Sequence, residues 1–317
     1  MFAAVVRRIP CESGAVVMGT GIVSVAAQLT GHPVLSAVLL AAAGAVWVLL
    51  AVSFLIRLAA DAAGWRAESV RPGALTGVAA TGVLGVGLAQ HGWPAASWVL
   101  LAVAVALWAV LMPRVLRGLK SPVVGVCFLL CVATQSLAVL AAKLAVGAVW
   151  LLPVAAVADV LGLGLYVFVL SRFDFRQLVR GCGDHWIAGG ALAISTVSTS
   201  ELGSALRVLH LAAAAFVGAG AFVLWAITAA WCAVLAVLEL AVPRLRYDFR
   251  RWATVFPLGM TCTATFGVAA ASGAGWLAET ARVLLWPALV VLCLTGWGTT
   301  RRAARALARP RARPVSS

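Results

Sequence analysis

Apolar runs of about 20 residues alternate along the chain with short breakers such as "GHP", "HGWP", "KSP" and "SGAG". A run of about 20 residues is what a helix needs to cross a bilayer core, and these runs lack the strict alternation of barrel strands. The pattern predicts ten spans, at about 13–30, 34–57, 73–90, 94–113, 122–142, 146–171, 186–206, 208–241, 252–271 and 276–298. The eighth is longer than a bilayer requires, so it is expected to tilt or to extend past the lipid.

Composition agrees with this reading. Apolar residues make up 63% of the 317 positions and charged residues 11%, with a mean hydropathy of +1.05. Soluble domains run nearer half apolar and a quarter charged. The expectation is an all-α membrane protein, with residues 1–300 as one ten-helix domain and 301–317 as a basic, unstructured cytoplasmic tail. The net charge of +14 does not indicate nucleic acid, because the basic residues form short clusters between spans. Clusters of that kind set topology and contact anionic headgroups. With ten spans, one side of the membrane collects 21 of the 24 basic residues, all but Lys143, Arg207 and Arg282. That asymmetry predicts cytoplasmic termini. Arginine outnumbers lysine 22 to 2, a bias associated with high-GC bacterial genomes, so the membrane expected is a bacterial inner membrane. The seven cysteines (11, 127, 131, 182, 232, 262 and 293) follow no metal-ligand spacing and read as apolar filler; no metal or cofactor is expected.

Polarity alternates with span number. Odd spans carry Gly19, Thr20, Ser24 and Gln28; Gly73, Gly77, Thr81 and Gly85; Thr134, Gln135 and Ser136; "STVSTSE" with Ser195, Thr199 and Glu201; and Thr254, Gly259, Thr261, Thr263 and Thr265. Even spans are poorer, with Ser36 and Ser53 in the second, Ser97 in the fourth, Asp159 in the sixth, Thr228 in the eighth and Thr295 in the tenth. Small and hydroxyl residues also serve as glue between packed helices. Five alternate helices together favour a shared polar lumen, with odd helices inside and even helices outside, and hence transport. Within the ninth span "VFPLGM" sets Phe256 beside Pro257. The proline cannot donate to the carbonyl of Ala253, and Phe256 shares a helical face with Gly259, Thr263 and Gly267. Two readings follow: the ring occludes the lumen, or it packs into a neighbouring helix while the proline starts the span.

"VMGTGIVSVA" in the first span, "GDHWIAGGALAIS" in the seventh and "FPLGM" in the ninth resemble the tellurite-resistance/dicarboxylate transporter family, whose members include fungal malate permeases, sulfite efflux pumps and plant slow-type anion channels. The resemblance implies five helical hairpins around a quasi-fivefold axis, a central anion pore and a homotrimer. It also implies that Phe256 blocks the pore. The anions implied are C4-dicarboxylates, sulfite, tellurite or inorganic anions.

The remaining polar residues each have a plain reading. Asp159, mid-membrane in the sixth span, is either a proton-coupling site of a secondary transporter or a buried, hydrogen-bonded structural acid. Glu12 and Glu201 are expected at span rims, and a carboxylate inside the lumen would oppose anions. No arginine or lysine falls within an odd span as drawn, so attraction would come from basic clusters, helix ends and hydroxyls. Arg251 reads as a contributor to the cytoplasmic mouth or as an interfacial anchor. His185 beside Asp184 has no nucleophile near it in sequence, and no clustered catalytic set points to an enzyme.

Overall fold

A computed structural model of the protein describes residues 10–120, 123–180, 183–243 and 247–308. Arg7, Arg8, Cys182, Arg244, Arg246 and the tail from 309 lie outside the described residues. Among the described residues the chain is helices joined by turns and short links, and its one β-type pairing is an isolated bridge between Val123 and Phe173. Ten long helices follow in order. They are α1 (Gly14–Leu29), α2 (Pro33–Ala60), α3 (Thr76–Gln90), α4 (Pro94–Gly118), α5 (Leu129–Ala145), α6 (Leu151–Leu170), α7 (Trp186–Val208), α8 (Ala214–Ala241), α9 (Trp252–Ser272) and α10 (Gly275–Ala308). Short helical turns precede α1, α3, α5 and α9.

Taken with the helical turns that lead into α3, α5 and α9, eight of these elements are long and apolar enough to cross a membrane. Of the other two, α1 has 16 residues, and α7 has 23 but carries Glu201, Arg207 and six hydroxyl side chains. The protein is thus a multi-pass helical membrane protein. One boundary moves: α10 continues through Arg301 and Arg302 to Ala308, so the basic tail begins as helix, where 301–317 was expected to be unstructured.

Local sequence explains the hairpins. α1 and α3 end on Gly31 and Gly92, whose φ values of 89° and 79° suit a residue without a Cβ. His32 N–H then reaches back to the carbonyl of Ala27, and Trp93 N–H to that of Leu88, closing the helix ends. Pro33 and Pro94 start the next helices, where the missing N–H costs nothing.

Each odd helix packs on the even helix that follows it, giving five hairpins. α1, α3, α5, α7 and α9 also pack in sequence on one another, and α9 returns to α1, so these five close into a ring. Each even helix leans on the first helix of the next hairpin, and α10 leans on α1. Burial follows this layering: 72–94% of positions are buried in the spans containing α3, α5 and α9, against 17–33% in the five even helices. Lipid is as apolar as leucine, so such a ring is held by close packing and interhelical hydrogen bonds.

Candidate functional site

A cavity of about 20 Å³ lies at the centre of the ring. All five odd helices bound it: Ile22 and Val25 of α1, Gly82, Val83 and Val86 of α3, Ser136 and Val139 of α5, Ile194, Val197 and Glu201 of α7, and Met260 and Thr263 of α9. A single water needs roughly 10–15 Å³ of such space, so the cavity admits about one water and no anion of interest. Its lining is mostly apolar.

Phe256 stands one helical turn before Met260 on the same face of α9. Its side chain is 3% exposed. Opposite it is Gly190, one turn before Ile194 on α7. A Cβ there would lie 3.0 Å from Phe256 Cδ1 and 2.9 Å from Pro257 Cγ. Ring and prolyl group therefore rest on the bare backbone of α7, in the next layer along the axis from Met260 and Ile194. α9 continues as helix through Pro257. Proline at this position still leaves the carbonyl of Ala253 without its helical donor.

The structure corrects the expectation that the polar stripes of the odd helices face the axis. Of the residues expected there, Thr263 bounds the cavity. Ser24 donates to the carbonyl of Ser36 on α2 at 2.7 Å. Thr81 accepts from Trp47 of α2 at 3.0 Å, and both Thr81 and Gly77 border a crevice on the outer side of α3. Gly85 gives its carbonyl to Ser97 of α4. Gln135 Nε2 donates to the carbonyl of Asp159 on α6 and to Ser195 Oγ, both at 3.1 Å. Thr199 donates to Asp159 Oδ2 at 3.0 Å. Gly19 is backed by Trp252 and Val255, and Gly259 by Ile22 and Val23, so both mark the close approach of α1 and α9. Thr20 is buried, and Gln28 Oε1 is buried without a hydrogen-bond partner. The physical reason is hydrogen-bond satisfaction: a hydroxyl reaches its own i−4 carbonyl on any face, but a neighbour's polar group is met at a helix contact and not at an apolar axis.

A recurring contact was missed in the sequence. Trp47 of α2 donates to Thr81 of α3, Trp108 of α4 to Thr134 of α5, and Trp225 of α8 to Thr265 of α9, each at 3.0 Å. In every case an outer helix clasps the inner helix of the next hairpin. The signal was legible: "PVLS" with Trp47 and "PAAS" with Trp108 stand 61 residues apart in register.

Charged candidates resolve as follows. Asp159 sits where α5, α6 and α7 meet, away from the axial lining, with Oδ2 held by Thr199 and Oδ1 buried without a partner. Glu201, partly exposed in the outer part of α7, also borders the cavity. Its carboxylate lies 3.4 Å from Lys143 Nζ, and Lys143 falls in the last turn of α5, so an odd helix does carry a cation. Arg251 pairs with Glu239 of α8 at 2.9 Å, as an anchor between helices would. Glu12 lies against Gly73 at the foot of α3. His185 is buried at the start of α7.

The description of one protein family covers this chain almost end to end: a model of the SLAC1 voltage-dependent anion channel family matches residues 8–300. The chain belongs to that family. It is the family of the tellurite-resistance and dicarboxylate transporters and the slow anion channels, the one its first, seventh and ninth spans resemble. No curated protein matches the chain. Membership in the anion channel family assigns anion transport to this membrane protein.

Proposed function

We propose that the protein conducts small anions along the axis of its inner ring, and that Phe256, set by Pro257, closes the path. The observation that carries this reading is the axial cavity, which all five odd helices bound and which gives way, one turn on, to the Phe256 ring seated on Gly190. The anions are C4-dicarboxylates or small inorganic anions such as sulfite and tellurite. In this reading all ten helices cross a bacterial inner membrane, both termini are cytoplasmic, and three copies assemble as a homotrimer.

Electrostatics supports this polarity. All five inner helices start at the arginine-rich end, so their positive dipole ends converge there with the basic clusters. At the opposite end the Lys143–Glu201 pair sets the charge met by an anion. Neutralising the carboxylate in Glu201→Gln should raise anion flux, and Lys143→Gln should lower it, each by up to about fivefold at low salt. Both effects should shrink above about 0.15 M ionic strength. Flux measured in liposomes over a salt series checks this, and equal flux in both variants would remove the pair from the conduction path.

Asp159 is structural in this reading, because its carboxylate faces α7. Asp159→Asn retains an acceptor for Thr199, so the pH profile of flux should match that of the wild type. A flattened profile would instead establish a proton-coupled secondary transporter. The overall reading is tested by reversal potentials for chloride, nitrate, malate, succinate, sulfite and tellurite across proteoliposomes. Absence of any anion-selective current or flux would overturn it.

A further inference from the structure

A second cavity, far larger than the axial one, lies away from the axis. It measures about 410 Å³ and runs between α2 and α4 over the outer side of α3, a volume typical of sites that bind small molecules. Its floor is made of small residues, Ala74, Gly77 and Ala80. A Cβ added at Gly77 would meet nothing within 4 Å, so the space is real down to the helix backbone. Its walls, among them Trp47, Phe54 and Leu107, are half-buried, and Leu55 at its edge is 61% exposed. The crevice therefore opens on the lipid-facing side of the bundle.

Its chemistry restricts the occupant. The hydroxyls in its walls are already engaged: Ser53 donates to the carbonyl of Leu49, Ser69 to that of Arg66, and Thr81 to that of Gly77 while accepting from Trp47. An extended peptide lying here would leave its backbone groups without partners, at a cost of several kcal/mol each in a membrane. An alkyl chain has no such groups. Charge appears at one end alone, where Arg57 pairs with Glu68 at 2.5 Å and the Arg114 guanidinium lies 5.0 Å from the ring centre of Trp65. Arg66 and Arg71 belong to the same connecting segment, which makes that rim net positive.

We propose that this crevice is a binding site for an anionic phospholipid, one acyl chain lying on the Gly77–Ala80 floor and the phosphate at the Arg57–Arg114 end. The lipid would back α3, whose opposite side, through Gly82 and Val83, borders the axial cavity.

The test is retention of added lipid by the delipidated full-length protein, read by native mass spectrometry with phosphatidylglycerol or phosphatidylcholine. Wild type should keep one phosphatidylglycerol in preference to phosphatidylcholine. Gly77→Leu, which fills the floor without meeting backbone, should abolish that retention, and Ala80→Leu serves as an independent filling variant. Arg114→Gln should cut the preference for phosphatidylglycerol about fivefold, the effect of one basic residue at an anionic surface. Unchanged thermal melting in detergent identifies the folded variants. Equal retention of the two lipids by wild type overturns the proposal. So does undiminished retention by a folded filling variant, or loss of self-association in place of lipid, which would make a second copy the occupant. Lipid retention does not depend on conduction, so this outcome stands apart from that of the anion assay.

Discussion

Phe256→Ala should raise anion flux through reconstituted protein by at least about tenfold, the effect of lowering a barrier by about 1.4 kcal/mol. The ring is nearly fully buried and lies on Gly190 in the layer next to the axial cavity, so its removal merges that cavity with the space beneath. No neighbouring side chain replaces it, because the opposing residue is glycine. Phe→Ala in a packed core commonly costs about 3–5 kcal/mol of stability, so flux must be normalised to folded protein. Phe256→Leu provides the graded control: a smaller group on the same glycine should leave flux between wild type and alanine. A folded Phe256→Ala protein with wild-type flux would return the ring to a packing role and remove the gate from the mechanism.

The second large effect concerns assembly. Gly125→Val should prevent recovery of monodisperse protein or lower its thermal midpoint sharply, at a cost of at least about 3 kcal/mol. A Cβ at residue 125 would stand 2.2 Å from the carbonyl oxygen of Asp184 and 2.7 Å from the backbone nitrogen of His185. Neither can yield as a flexible side chain would. Gly125 opens the turn into α5, and residues 184 and 185 lead into α7, so the contact brings together the feet of two neighbouring inner helices. Gln177 also accepts a hydrogen bond from Gly125 N–H. Size-exclusion profiles and melting curves in detergent check this. A variant indistinguishable from wild type would mean that this junction carries little of the ring's stability.

Much of the architecture was legible in residue order. Long unalternated apolar runs require helices in a bilayer, and "GHP" and "HGWP" close the first two hairpins through local backbone preference alone. The family too could be read from short motifs, because "FPLGM" and "VMGTGIVSVA" each lie unbroken within one span. The contrast between odd and even helices was visible as polarity, and it corresponds to burial.

The sequence by itself determined how many helical elements form, where they turn and which residues share a helical face. It did not determine which neighbour each face meets. Ser24, Thr81, Gln135 and Thr199 have the same 3.6-residue periodicity whether they look inward or outward, and the tertiary structure turned them outward onto α2 and α6. The physical reason is that buried hydroxyls and amides are stable only opposite a partner, and the partners (a serine, an indole, a carboxylate) lie on other helices. The same three-dimensional closure left an apolar axis, brought Lys143 to Glu201 across two helices and opened a lipid-facing crevice over Gly77. All of these arise between different helices, where the periodicity of any one segment carries no information.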